Sequence, residues 1–253
     1  MVPRSSPGTA TPVDAATAPH RIPLHPLASP LRLGMAGAVL VFATLAVLHA
    51  VTIPPFLPAD EPAHYGYARS LGAGRLPTVD TAIPGSQATQ LLVRLVADPD
   101  PNKSDVWVAN HPPLFAALAA LPVALGEATD RPVAGLLAAR LISALAGAAA
   151  VALTGALALV LLPRRPRVAV LAVGLLATMP LVAHVSGIAY NDALAMAAVS
   201  ASILGGAAAL RHGPRPRVRA SGPGGRGSMI VAGVAVAATA AALTRASALP
   251  AAA

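Results

Sequence analysis

Two adjacent carboxylates, Asp60-Glu61, follow the first long apolar run, within Pro54-Pro55-Phe56-Leu57-Pro58-Ala59-Asp60-Glu61-Pro62-Ala63-His64. An Asp at mid-membrane costs about 2.5–3.5 kcal/mol on insertion scales, so the pair belongs at a water boundary. There it can take a proton, bind a metal or hold a polar substrate. The alternative is a solvated acid pair at a helix end. His64 and Tyr65 lie close by in sequence. His111-Pro112-Pro113-Leu114 brings a second imidazole to the start of an apolar helix, where proline is tolerated in the first turn. It is either a ligand-facing group or a plain helix start. In Tyr190-Asn191-Asp192, Asp192 is a second carboxylate for the same site, an N-cap for the next helix, or both. Arg69, Arg75, Arg94, Lys103, Arg131, Arg140 and Arg245 offer donors to a lipid phosphate. Arg140 and Arg245 each border an apolar run and are the stronger candidates.

The elements that position these groups follow from composition. Of 253 residues, 55% are hydrophobic and 11% charged, with a mean hydropathy of +0.66. A soluble domain carries about 25% charged residues, so the expectation is an integral membrane protein. The fold class expected is all-α: a polytopic transmembrane helix bundle of about five spans, with a long outer loop carrying short interfacial helices. Residues 1–31, rich in Pro, Ser, Thr and Ala, read as a disordered cytoplasmic tail and not as a signal peptide. The transmembrane domain is 32–253, with spans at 34–53, 141–162, 168–189, 193–210 and 229–249. At 1.5 Å per residue, 34–53 covers about 30 Å, one hydrocarbon thickness. A bend is expected at Pro180. Residues 54–140 form the outer loop. Within it, 63–71 is expected as a short interfacial helix, and 112–126 is apolar but too short to span, so it reads as an interfacial or re-entrant helix. Asp98–Asp105 is rich in turn formers.

Charge distribution tests that layout. Arg4, Arg21 and Arg32 precede the first span. Arg164, Arg165 and Arg167 separate the second and third. Arg211, Arg215, Arg217, Arg219 and Arg226 precede the last. The positive-inside rule puts all three segments in the cytoplasm. Residues 54–140 and Asn191-Asp192 then face outward, with nine of the ten acids on that side. The net charge of +8 is thus a topology signal and implies no nucleic acid. Lys103 is the one lysine against seventeen arginines, a composition of high-GC bacterial genes. With no cysteine, disulfides, thiolate zinc sites and thiol catalysis are excluded. No phosphate-binding loop, dinucleotide fingerprint, His-Glu-x-x-His or nucleophile elbow is present. Asn102-Lys103-Ser104 fits a glycosylation sequon, to which a bacterial composition gives little weight.

The ordered set Asp60-Glu61, His64, His111-Pro112-Pro113-Leu114, Arg140-Leu141-Ile142-Ser143-Ala144-Leu145 and Asn191-Asp192 resembles the amino-terminal half of GT-C glycosyltransferases. Leu243-Thr244-Arg245 resembles a later helix of the same group. The similarity is to protein O-mannosyltransferases and aminoarabinose transferases, especially a related group of uncharacterised bacterial membrane proteins. It covers about residues 34–253. It implies an inverting transfer of sugar from a polyprenyl-phosphate donor to an acceptor hydroxyl, at the outer face of the plasma membrane. Asp60 would be the general base, and Glu61 would assist it or help bind a metal. His64, His111, Asp192, Arg140 and Arg245 would line the substrate pocket. A divalent metal on Asp60 and Glu61 is left open, as are the sugar and the acceptor. Such enzymes usually carry more spans, so the resemblance implies an amino-terminal portion or truncated form. The competing expectation is a non-catalytic integral membrane protein whose outer loop binds a glycan or a protein. A proton- or ion-coupled transporter is disfavoured, because no acid lies deep in a span and no inverted repeat is visible.

Overall fold

The computed structural model describes residues 29–96, 104–212 and 226–243. Nine α-helices follow one another among these residues: α1 (Ser29–Thr52), α2 (Glu61–Gly72), α3 (Gln87–Val96), α4 (Leu114–Ala128), α5 (Pro132–Leu161), α6 (Pro166–Ala177), α7 (Pro180–Ser186), α8 (Asp192–His212) and α9 (Arg226–Ala242). A 3-10 turn, Trp107–Asn110, precedes α4. Among the described residues there is no strand. A single bridge joins Ala82 to Asp105.

Among the described residues, three helices are long and apolar enough to cross a membrane: Pro30–Thr52, Pro132–Leu161 and Asp192–Arg211. Exposed leucines along them, such as Leu40 and Leu145, suit contact with lipid tails. The pair α6–α7 makes a fourth span if counted as one, bent by 67°. The bend falls where expected. Pro180 has no N–H to donate and disfavours helical geometry in the preceding residue, and Met179 is extended, with ψ 111. The fifth expected span, 229–249, is helical through Ala242, but α9 has 17 residues and is shorter than a crossing. The rest of that expected span, from 244, and the tail 1–28 lie outside the described residues, as do Asn102 and Lys103.

Two other expectations change. α5 begins at Pro132 rather than at 141, because Pro132 sits in the first turn, where its missing donor costs nothing. The helix at 63–71 begins at Glu61 and lies inside protein, with every residue from Glu61 to Ala68 buried. It packs on α4 and the 3-10 turn. There Phe56, Tyr65, Tyr67, Ile83, Val106, Val108, Phe115 and Leu136 form one apolar core. Burying each such side chain contributes about 1.5–3 kcal/mol, enough to pull α2 off any lipid surface. α4 remains a short apolar helix of 15 residues with Pro122 inside it.

A second core joins α1, α5, α6 and α7 through Phe42, Ala46, Ala144, Val151, Val173 and Ala183. Apolar burial cannot drive association between helices already in lipid, so close packing of small residues must do it. Gly187 shows how tight the packing is: a Cβ there would lie 2.4 Å from the His49 Cβ and 2.8 Å from the Ala46 carbonyl oxygen. This contact holds the loop after α7 against the end of α1.

Candidate functional site

α1 ends at Pro54-Pro55, and the chain turns through Phe56 in the left-handed region, φ 61. That conformation is unfavourable for a side-chain-bearing residue by roughly 1–2 kcal/mol. It is held in two ways. The Phe56 ring packs edge-on against Tyr65, centroids 5.2 Å apart, and its N–H donates to Glu61 Oε2 at 3.0 Å.

Glu61 is fully buried, and each of its oxygens accepts two hydrogen bonds. Oε1 receives Arg140 Nε at 2.8 Å and the Ala189 N–H at 3.0 Å. Oε2 receives Arg140 Nη2 at 2.6 Å and the Phe56 N–H. This is the bidentate geometry that suits arginine and carboxylate. The remaining Arg140 protons go to the carbonyls of Ala50 (2.8 Å), Ile53 (2.6 Å) and Pro54 (3.0 Å). These are end-of-helix acceptors that would otherwise lack partners. Arg140 was expected to snorkel at a span edge. Instead it is 3% exposed, inside α5, because the earlier start of α5 brings it opposite Glu61. The pair therefore ties together the end of α1, the start of α2, α5 and the loop before α8.

Asp60 takes a different direction. It stands at the N-cap of α2 without capping it through its side chain, and it is half-buried. Its N–H donates to Tyr190 Oη at 3.0 Å. Burial pushes the Tyr190 phenol up to about 12. The Asp60 N–H opposes the shift, while the Asp60 and Glu61 charges add to it. Tyr190 is held in turn by Ser143, whose hydroxyl donates to its carbonyl at 3.0 Å. The buried ring of His64 lies 5.3 Å from that of Tyr190, 6.0 Å from His111 and 5.9 Å from Phe115. His111 Nδ1 meets the Asn191 amide nitrogen at 3.3 Å, and its carbonyl accepts the Tyr67 hydroxyl at 3.3 Å. With the amide donating, Nδ1 is the acceptor and the ring proton sits on Nε2.

Asp60, His64, His111, Tyr190 and Asn191 thus converge from three distant stretches of chain. Asp192 stands at the first residue of α8 and lines a cavity of about 390 Å³, with Val151, Thr154, Leu176, Val182 and Ser200 among its walls. Arg245 lies outside the described residues. No group of three or more His, Asp or Glu among the described residues is placed to hold a metal.

Two participants carry little signal in the sequence. Tyr190 stands in the motif that drew attention to Asp192, yet it is the tyrosine that meets Asp60. Glu127, near the end of an apolar helix, is buried and accepts the Tyr65 hydroxyl at 2.8 Å, the Thr89 hydroxyl and the Ser86 N–H. Burial, then Glu127, pushes the Tyr65 phenol well above its ordinary range. This second buried acid fastens the segment between α2 and α3. Its one signal is that it is the sole carboxylate within α4.

No protein-family model, curated protein or solved structure matches the chain. Geometry alone therefore carries the chemistry. Asp60, half-buried and joined through its N–H to Tyr190, whose ring packs on His64 and through it near His111, is the candidate for proton abstraction from a bound hydroxyl.

Proposed function

We propose that the chain belongs to a membrane glycosyltransferase that moves a sugar from a polyprenyl-phosphate donor to an acceptor hydroxyl at the outer membrane face. Asp60 is the general base in this reading. It takes the proton of the acceptor hydroxyl as that oxygen attacks the anomeric carbon. The bond from the anomeric carbon to the phosphate oxygen breaks, its electron pair leaves with the lipid phosphate, and the anomeric configuration inverts. His64, His111 and Asn191 orient the acceptor through hydrogen bonds.

The observation that carries the reading is the division of labour between the adjacent acids. Glu61 is fully buried and accepts from Arg140 and two N–H groups; Asp60 stands half-buried at the start of α2, with its N–H on Tyr190. Glu61 and Arg140 are positioning residues here, so Arg140 is not the phosphate-binding cation and Glu61 is not a metal ligand. The same helices leave Asp60 at the end of a hydrophobic bundle, where a lipid-borne donor and a water-borne acceptor can meet.

The test is complementation of a gene-deletion strain with the full-length reading frame, wild type or Asp60→Asn, followed by profiling of envelope glycans and glycolipids. Loss of a general base lowers such rates by about 10²–10⁴. The variant should therefore leave the deletion profile in place while reaching wild-type membrane levels. Full restoration by Asp60→Asn refutes the base assignment and favours a non-catalytic, glycan- or protein-binding role. A deletion that changes no glycan refutes the transferase reading altogether.

A further inference from the structure

At the end of the bundle away from Asp60, α5 stops at Leu161, and a turn through Leu162, Pro163, Arg164 and Arg165 leads into α6. From Arg140 to Leu161 the rise along α5 is about 31 Å, one hydrocarbon thickness. α8 runs a similar length from Asp192 to Arg211. Arg211 therefore reaches the level of the α5–α6 turn. Between them lies a recess of about 260 Å³ lined by Leu161, Leu162, Pro163, Arg164, Arg165 and Arg211.

Three arginines thus line one concavity at a membrane boundary. The described residues give them no carboxylate partner. The ion pairs Arg69–Glu127 and Arg140–Glu61 both lie in the other half of the molecule. The turn is stiff: Pro163 and Pro166 flank the two consecutive arginines, and the Arg165 N–H donates to the Leu162 carbonyl at 2.9 Å. Leu161 and Leu162 are exposed on the rim, and Leu210 is 88% exposed beside Arg211. A ligand that satisfies both features has an anionic head and apolar tails. Planar guanidinium forks match phosphate oxygens in pairs, and basic pockets between membrane helices suit lipid head groups.

We propose that this recess is a binding site for the phosphate head group of an anionic phospholipid, with the acyl chains lying over Leu161, Leu162 and Leu210. The site is distinct from the Asp60 cluster and independent of any transfer reaction.

The test uses the full chain in neutral detergent micelles, with thermal melting followed as lipid is added. Phosphatidylglycerol should raise the melting temperature saturably, and phosphatidylcholine should not. The half-saturating concentration should rise roughly fivefold for each of Arg164→Gln, Arg165→Gln and Arg211→Gln, the weight of one arginine against an anionic surface. Arg167→Gln removes the same charge from the same turn region but from outside the recess, and should shift it less than twofold. Arg165→Lys keeps charge and topology and separates loss of the fork from misfolding; it should weaken binding, with an unchanged melt in lipid-free micelles. The proposal is overturned if Arg167→Gln matches the recess variants, if phosphatidylcholine stabilises equally, or if inorganic phosphate alone reproduces the shift.

Discussion

The Glu61–Arg140 pair allows a quantitative test, because its two partners satisfy different backbone groups. Glu61→Ala leaves a buried guanidinium with three carbonyl acceptors and no counter-charge. It also orphans the N–H groups of Phe56 and Ala189. Arg140→Met leaves a buried carboxylate and strips the carbonyls of Ala50, Ile53 and Pro54. Removing one partner of a buried pair costs about 3–5 kcal/mol, which lowers the melting temperature of a chain this size by roughly 6–20 °C. The double variant removes both charges, and in many proteins such a replacement is close to neutral. Here five backbone groups still lose their partners, each at about 1–3 kcal/mol where burial is complete. The double variant should therefore stay destabilised, yet by at least about 2 kcal/mol less than the sum of the singles, the coupling expected of a contacting pair. The assay is thermal melting in micelles with the helical circular dichroism signal, on all four proteins. Singles costing under about 1 kcal/mol, or strict additivity, would refute the idea that this pair organises the site.

Two further predictions rest on different observations. The chain has three tyrosines, and burial raises the phenols of Tyr65, Tyr67 and Tyr190 above their ordinary value near 10. Above pH 10 the unfolded chain has lost protons that the folded chain keeps. Stability is thus fully present below pH 10 and falls as pH rises through the folded value, about 12 for Tyr190. Phenolate absorbance at 295 nm should lag the unfolded curve on the alkaline side. A native titration centred near 10 for all three would refute the burial argument. Gly187→Ala would place its methyl group 2.4 Å from His49 Cβ, so the α1–α7 contact must open. A loss of about 1–3 kcal/mol is expected, and a melt within 1 °C of wild type, roughly a quarter to a half of a kcal/mol, would show that the contact is slack.

Parts of this arrangement were legible in the sequence for stated reasons. Apolar runs of spanning length identified α1 and α8, and the missing N–H of Pro180 located the break between α6 and α7. The Pro54-Pro55 stop and the neighbouring acids marked the site. The partner of Glu61 was not legible. Arg140 is 79 residues away, and its depth depends on whether α5 starts at 132 or at 141. Apolar composition does not decide that, because Pro132–Ala139 is apolar whether helical or looped. Tyr190 was hidden for a related reason: a phenol that accepts a backbone N–H from a residue 130 positions away leaves no spacing signature.

The split between Asp60 and Glu61 has a geometric cause that any sequence with this pair would share. Successive residues entering an α-helix leave its axis about 100° apart, so neighbours do not face a common point. If one of the two turns into the protein, the other cannot follow it. Pro62 sits in the first turn; Glu61 enters between α1 and α5, and Asp60 remains at the N-cap. Two carboxylates in this geometry make a poor clamp for one metal ion. They do make a good division between a buried anchor and a half-exposed carboxylate. The anchor needs an arginine able to cross from another helix, which α5 supplies, and the proposed base has Tyr190 on its N–H, with His64 and then His111 packed beyond that ring. The residue whose charge is costliest to bury is therefore the one with four donors.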